Sequence, residues 1–323
     1  MLIAVSRQLM HDDFEVSFDR QRFPQGTEAS MDALDEVERL ESVLSVFRFD
    51  SKISLINQLA KHEPVHLDDE LFDLFALCQN VAADTDGAVD ITSGLLWKIW
   101  GFAKRDGHFP QQDAIQNAKR NTGYYFLQLD TAGKTVSINS GDNNNLALEL
   151  NFGCVGKGFA LDIASRKLIE HDVDRFLFQG GLSSLLAKGS DWKIGIAHPL
   201  RPGLRLRELE LNDAAVSTSG SQKQSFRHHG KRYSHIIDPR TGEPASGVLQ
   251  VTVLVSSDTT SGTIASHYPA ALAELLSTAF FVLGAEETQQ FVKNHREKYP
   301  DIRVMMCVPS EKTPHFEEVV IET

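Results

Sequence analysis

Cysteine is scarce in this 323-residue chain, which has only Cys78, Cys154 and Cys307. They are odd in number and widely spaced, so they supply neither a disulfide framework nor a Cys-x-x-Cys metal site. None of the twelve histidines stands in a His-Glu-x-x-His arrangement, which leaves a zinc hydrolase without motif support. Positive charge is also short: 32 Lys and Arg face 44 Asp and Glu, a formal charge of −12. That balance argues against a general binder of nucleic acid or anionic membrane, while leaving room for a local basic pocket. No apolar run approaches the ~20 residues that span a bilayer. There is no internal repeat, and no Pro/Gly/Ser linker long enough to divide the chain. The opening Met1-Leu2-Ile3-Ala4-Val5-Ser6-Arg7-Gln8 is too short for a signal peptide and has no basic start. The expected location is cytoplasmic, or exported if a leader has been removed ahead of Met1.

What is present is the composition of a globular protein, 41% hydrophobic and 24% charged, long enough to bury a large core. A first strand is expected over 12–18. Met31, Leu34, Val37, Leu40 and Leu44 recur at three- and four-residue steps and predict a helix over 28–46. Asp32, Asp35 and Glu36 fall early in it, where acids suit the helix dipole. A second helix is expected over 68–84, burying Leu71, Leu74, Phe75, Cys78 and Val81, with a strand-like run after it to Thr92. Alternating runs predict strands over 124–129, 135–138 and 146–150. A helix is expected over 158–171, then strands near 175–179, 192–197, 205–210, 232–237 and 248–255. An apolar helix over 268–283 and a strand over 303–308 complete the pattern. Strands and helices mixed in this way favour α+β over an alternating parallel fold.

Several runs carry groups capable of chemistry. In Ser234-His235-Ile236-Ile237-Asp238-Pro239-Arg240-Thr241-Gly242, a turn can gather an imidazole, a carboxylate, a guanidinium and a hydroxyl at a strand end. Taken alone, the run reads first as a plain hairpin turn with solvated polar residues. Gly153-Cys154-Val155-Gly156-Lys157-Gly158 leads into a helix whose free N–H groups, together with Lys157, suit an anion. It is neither a Walker A loop nor a Rossmann fingerprint, and it could be only a tight connection. The hydroxyls of Gln179-Gly180-Gly181-Leu182-Ser183-Ser184 could bond a ligand or cap the turn, and Thr218-Ser219-Gly220 offers the same two readings. Gly87-Ala88-Val89-Asp90-Ile91-Thr92 is either a polar site or a capped helix-to-strand turn. Trp97 and Trp100 read as core.

Taken in order, these runs resemble the ApbE family, the FAD:protein FMN transferases, over nearly the whole chain. The matching runs are 47–57 (Phe47-Arg48-Phe49-Asp50-Ser51 through Asn57), 87–92, 96–102, 153–162, Gly180-Gly181, 218–220, 234–242 and Ala273-Glu274 through Thr278 and Gly284. The resemblance implies one α+β ApbE-like domain over 1–323, with a largely antiparallel sheet and flanking helices. It implies FAD as the donor and a divalent metal, usually Mg2+, with transfer of FMN to a Ser or Thr of an unidentified acceptor protein. Nucleic acid is not an expected partner. His235 maps onto the base. Glu274, Thr278 and the backbone oxygen of Gly156 map onto the metal ligands. FAD-contacting positions map onto Ser51, Asn57, Asp90, Lys157 and Asp162. Further along they map onto Gly180, Gly181, Thr218, Ser219, Gly220, Asp238, Arg240 and Thr241.

The chain departs from the family pattern in places. Glu274 replaces an Asp, Asn151 replaces an Asp, and Cys154 adds bulk to the glycine loop. Met10-His11-Asp12 stands for Met-Gly-Thr, Ser221-Gln222-Lys223-Gln224 follows the Thr-Ser-Gly, and a polar stretch over 257–266 is extra. The family's export signal is missing. These changes keep two other readings open: a flavin-binding or scaffold paralogue impaired in catalysis, and a metal-dependent FAD pyrophosphatase.

Overall fold

The computed structural model describes residues 1–139, 141, 146–221, 224–257, 264–312 and 315–323. Eight strands form one sheet: β1 (Leu2–Leu9), β2 (Asp12–Asp19), β3 (Phe176–Gly180), β4 (Ser184–Lys188), β5 (Ala214–Gly220), β6 (Gln250–Ser256), β7 (Ile302–Pro309) and β8 (Phe316–Glu322). Their order across the sheet is their order in the chain, and every neighbouring pair is antiparallel. The sheet is therefore a meander with long excursions between its strands. Those excursions carry the helices and the walls of the candidate site.

Alternation along the strands gives the sheet two apolar faces. Phe176 and Phe178 of β3 join Phe14, Val16 and Phe18 of β2 and Val251 and Val253 of β6 in the main core. That core is closed by α1 (Gly26–Leu44), α2 (Asp69–Asp84), α3 (Gly156–Glu170) and α4 (Pro269–Asn294). Leu177, between the two phenylalanines, points the other way. With Ala187 and Val216 it is covered by the hairpin Trp192–Ala197/Arg205–Leu211. The fold is α+β.

The start of α4 is where the packing is tightest. Both carboxylate oxygens of Asp162 on α3 accept N–H bonds from the first turn of α4, from Ala270 at 3.0 Å and Ala271 at 2.8 Å. In return, Glu274 of α4 accepts the Gly158 N–H in the first turn of α3 at 2.7 Å. Each helix thus satisfies a donor that the other leaves without an intrahelical partner. The two backbones approach so closely that a Cβ on Gly158 would lie 2.3 Å from the Ala270 carbonyl oxygen. Helix α4 is broken at Gly284, whose φ of 75° no continuous helix contains. It is the one helix among the described residues long and apolar enough to cross a membrane. However, 67% of its most apolar window is buried inside the protein, as in a core helix.

The structure revises several expected elements. Met31 is 44% exposed on α1, and Ala29, Ser30 and Ala33 share the buried stripe with Leu34, Val37, Leu40 and Leu44. The run to Thr92 is a turn rather than a strand, because Asp90 Oδ1 accepts both the Thr92 N–H and its hydroxyl at 2.8 Å. Residues 146–150 are not a strand, since side-chain amides bind their backbone: Asn57 Oδ1 accepts from Leu150 N–H and Asn121 Oδ1 from Ala147 N–H. Thr218-Ser219-Gly220 is not a turn but the end of β5, paired with β6. The strand expected over 232–237 splits into Lys231–Ser234 and Ile237–Asp238. Strands β1, β4 and β8 are additions to the sequence reading. Gln222, Lys223 and most of the polar stretch over 257–266 lie outside the described residues.

Burial pushes the Asp162 carboxyl from 3.8 up to about 8, outweighing the downward pull of the two N–H donors and Arg166. Its folded pKa therefore lies above its unfolded value. Stability from this group is full below pH 3.8 and is lost as the pH rises through about 8. Asp162→Asn keeps one acceptor for two donors and should cost about 1–3 kcal/mol in urea unfolding at pH 5. The deficit relative to the parent should narrow steadily towards pH 8. A deficit that is constant with pH would show that Asp162 does not titrate in this window.

Candidate active site

A cleft of about 340 Å³ opens where the excursions meet the ends of β4 and β5. Its base is polar. Glu274 is 6% exposed, and its second oxygen accepts the Ser184 hydroxyl at 2.5 Å. Lys157 donates to Ser183 Oγ at 3.0 Å, and its ammonium stands 3.7 Å from Asp12 and 3.9 Å from Glu274. Because α3 begins at Gly156, Lys157 sits at the positive end of that helix. Ser217 and Ser219 share one face of β5 and meet α4. Ser219 Oγ lies 2.9 Å from Ser277 Oγ and 3.4 Å from Thr278 Oγ1, and Ser277 donates to the Glu274 carbonyl at 3.0 Å. Thr218 also lines the cleft, but its hydroxyl bonds Thr252 on β6 at 2.9 Å.

His235 stands on the rim between two short strands. Its Nδ1 lies 3.1 Å from the Gln224 carbonyl oxygen. A carbonyl only accepts, so the proton is on Nδ1 and Nε2 is the ring's basic atom. The Asp238-Pro239-Arg240-Thr241-Gly242 turn behind it is closed by Gly242 N–H donating to Asp238 O at 2.8 Å, with Gly242 at φ 80°. The exposed Phe47 and the half-buried Trp97 form an aromatic wall, edge to face at 6.3 Å. Asp90 also lines the cleft and is buried, and burial pushes its carboxyl up to about 6 against the hydrogen bonds from Thr92 and Tyr124. Packing around the Cys154 sulfur, aided by the Glu274 charge, pushes that thiol up to about 12. The thiol is then neutral at physiological pH and no thiolate nucleophile.

Comparison with known proteins now bears on this cleft. The sequence profile of the ApbE family matches residues 10–302. The chain belongs to the ApbE family. It is similar to the FAD:protein FMN transferase of Salmonella typhimurium, with 32% identity over 261 residues, 78% of this chain and 70% of that one. The enzyme of the same name from Klebsiella pneumoniae is 32% identical over 269 residues, 80% of this chain and 71% of its own. Among solved structures, the Pseudomonas stutzeri flavinyl transferase ApbE superposes with a TM-score of 0.81 at 25% identity, covering 99% of this chain and 95% of that one. The ApbE protein of Thermotoga maritima gives 0.82 at 24% identity over 100% and 97% of the two chains, a likeness of fold.

In this ApbE member the positions singled out from sequence divide into two groups. Asp90, Lys157, Thr218, Ser219, Gly220, His235, Glu274 and Thr278 all line the cleft. The others do not, because their polar atoms already hold the scaffold. Ser51 caps the helix Lys52–Leu59, and Asn57 bonds both backbone groups of Leu150. Asp162 caps α4, while Gly180 ends β3 and Gly181 makes the turn that presents Ser183. Asp238 is clamped by Arg240 at 3.0 and 3.1 Å, Arg240 reaches on to Glu287 at 3.3 Å, and Thr241 is exposed. Gly156 lines an adjoining cavity of about 190 Å³ with Met10 and His11, which shares Phe47, Asn151, Gly153 and Lys157 with the cleft.

Among the described residues no group of three or more His, Cys, Asp or Glu is gathered to hold a metal. What the cleft offers is the Glu274 carboxylate among hydroxyls, with the buried Asp90 also in its lining, a hard oxygen set in character. Sequence reading missed Phe47, Trp97, Ser217 and Ser277 as parts of the wall, whereas the Ser183 hydroxyl was one of its two-way readings. The available signal was Ser277, a polar residue inside the apolar run 269–283. Ser184→Ala would leave Glu274 without one of its two buried donors, and should cost about 1.5–3 kcal/mol. An unchanged urea midpoint would show that Glu274 does not depend on that hydroxyl.

Proposed function

We propose that this protein transfers the FMN half of FAD to a Ser or Thr hydroxyl of an acceptor protein. The observation that carries the reading is one cleft uniting His235, Lys157, a row of hydroxyls and an aromatic wall, in a chain of the ApbE family. The similar proteins that bear the name FAD:protein FMN transferase support it. Lys157 and the start of α3 suit the pyrophosphate, and Phe47 and Trp97 suit a planar ring. His235 Nε2 takes the proton from the acceptor hydroxyl as its oxygen attacks the FMN phosphorus. The phosphorus–oxygen bond to AMP breaks and AMP leaves, so the acceptor gains a phosphoester. Glu274, Thr278 and the Gly156 backbone oxygen would hold a magnesium ion, which offsets charge on the phosphates.

A second reading has an observation of its own. Both Glu274 oxygens already accept bonds, from Gly158 and Ser184, as expected of a carboxylate kept for structure in a flavin-binding scaffold. Incubation with FAD and magnesium, with and without an acceptor, separates the readings by AMP release and acceptor mass. AMP release without acceptor labelling would mark a pyrophosphatase, and neither product would mark the scaffold.

His235→Ala should lower transfer by roughly 10²–10⁴-fold and leave FAD affinity within a few-fold. Transfer at the parent's rate across pH 6–8 would remove His235 from the chemistry. Glu274→Gln should weaken the magnesium dependence of turnover, and Glu274→Asp, which shortens the reach by one methylene, should sharpen it. The same dependence in both variants would place the ion elsewhere.

A further inference from the structure

Beyond the cleft residue Gln224 the chain rises into a two-stranded hairpin, Ser225–His228 with Lys231–Ser234, and returns to the cleft at His235. Its cross-strand partners are poorly matched in charge. Arg227 lies opposite Arg232, and His228 opposite Lys231. Like charges directly opposite one another destabilise a strand pair, and a lone hairpin is marginal to begin with. Arg227, Lys231 and Arg232 are all exposed, and none of them forms an ion pair among the described residues. The segment 102–109 packs against the hairpin so closely that a Cβ on Gly107 would lie 2.4 Å from the Phe226 ring. It adds Lys104 and Arg105, also exposed, with Asp106 the only acid in either segment.

Rings hold this cationic platform in shape. Tyr233 stacks on Phe226 at 5.3 Å and on Trp100 at 5.8 Å, and Phe109 stacks on His228 at 5.1 Å. The rings hold the hairpin in shape, and Arg232 donates to Ser225 Oγ at 2.9 Å and to the Ser221 carbonyl at 2.8 Å, neither of which neutralises it. The fold therefore keeps five Lys and Arg beside the cleft, none of them in an ion pair among the described residues, in a chain whose formal charge is −12. An anionic partner would relieve the repulsion.

We propose that the hairpin 225–234 and its neighbour 102–109 form a docking surface for an acidic segment of the acceptor protein, delivering its hydroxyl to the cleft beside His235. The proposal rests on the transferase reading above. A short acidic segment fits better than a long polyanion, which would run from this small platform onto the acidic remainder of the surface. Rim charges of this kind steer encounter and select partners.

The test uses two labelled synthetic peptides carrying one threonine, flanked by aspartates in one and by asparagines in the other. Fluorescence anisotropy reads their binding to the full chain, and flavin fluorescence reads FAD binding separately. The aspartate peptide should bind about tenfold more tightly at low salt, with the advantage lost at high salt. The double variant Arg227→Glu/Lys231→Glu should lose the preference, Arg227→Gln/Lys231→Gln should reduce it, and both should bind FAD as the parent does. Equal binding of the two peptides, or a preference that survives charge reversal, overturns the docking surface whether or not FAD binds. Tighter binding of a single-stranded oligonucleotide or of phosphatidylserine vesicles than of the aspartate peptide also overturns it. A peptide preference without FAD binding would uphold the acidic-segment surface while overturning the transferase reading.

Discussion

The reciprocal capping of α3 and α4 is the constraint on which the rest of the structure depends. Asp162 and Glu274 each leave their own helix to satisfy a backbone donor at the start of the other. The exchange is possible because Gly158 lets the two backbones meet. It fixes the two helix starts against one another beneath the sheet, and with them Lys157, Ser277 and Thr278. Ser184, at the first position of β4, ties the same carboxylate to the sheet. One buried carboxylate thus couples α3, α4 and the central strands, and it lies in the base of the cleft. A change at Glu274 is therefore felt in the scaffold as well as in the site.

The meander explains why the site is assembled from distant sequence. Adjacent strands are consecutive, so the sheet itself is simple to register, and functional groups enter through the excursions that leave it and return. The excursion between β2 and β3 supplies Phe47, Asp90, Trp97 and Lys157. The one between β5 and β6 supplies His235, and the one between β6 and β7 supplies Glu274 and Thr278. Each excursion is anchored by side-chain bonds to backbone, such as Asn57 to Leu150 and Trp100 Nε1–H to Gly242 O at 2.9 Å.

Elements with a strong period were legible in the sequence for a physical reason: α1, α2, α3 and the apolar stretch of α4 each bury one consistent stripe or are buried throughout. Strand β1 was not, because most of its residues stay partly exposed and the contrast between faces is weak. Strand β5 was disguised by the hydroxyls that make it useful, since Ser217, Thr218 and Ser219 read as turn chemistry. In the site, motif identity was legible and division of labour was not. Ser51, Asn57, Asp162 and Asp238 carry the same side-chain types as the residues that line the cleft, and only tertiary structure shows their acceptors already engaged in caps and turns. Trp97 and Trp100 are three residues apart and alike in sequence. Trp100 is fully buried, while Trp97 faces the cleft.

Charge balance gives the proposed magnesium its physical reason, since no cluster of ligands among the described residues does. Among the described residues lining the cleft Lys157 is the one Lys or Arg, and it stands within 4 Å of both Asp12 (3.7 Å) and Glu274 (3.9 Å). One ammonium between two carboxylates leaves no surplus of positive charge for a pyrophosphate, which brings further negative charge of its own. The start of α3 contributes only about half an elementary charge. Bringing a dinucleotide's phosphates to this base would therefore need a counter-charge that the described residues at the base do not supply. A small hard cation fits the requirement, because the groups around it are a carboxylate, hydroxyls and backbone oxygens rather than imidazoles or thiolates. The nearby Cys154 does not compete as a soft ligand while its thiol keeps its proton. Under the proposed reading, the acids around Lys157 do not oppose phosphate binding but make it conditional on the ion.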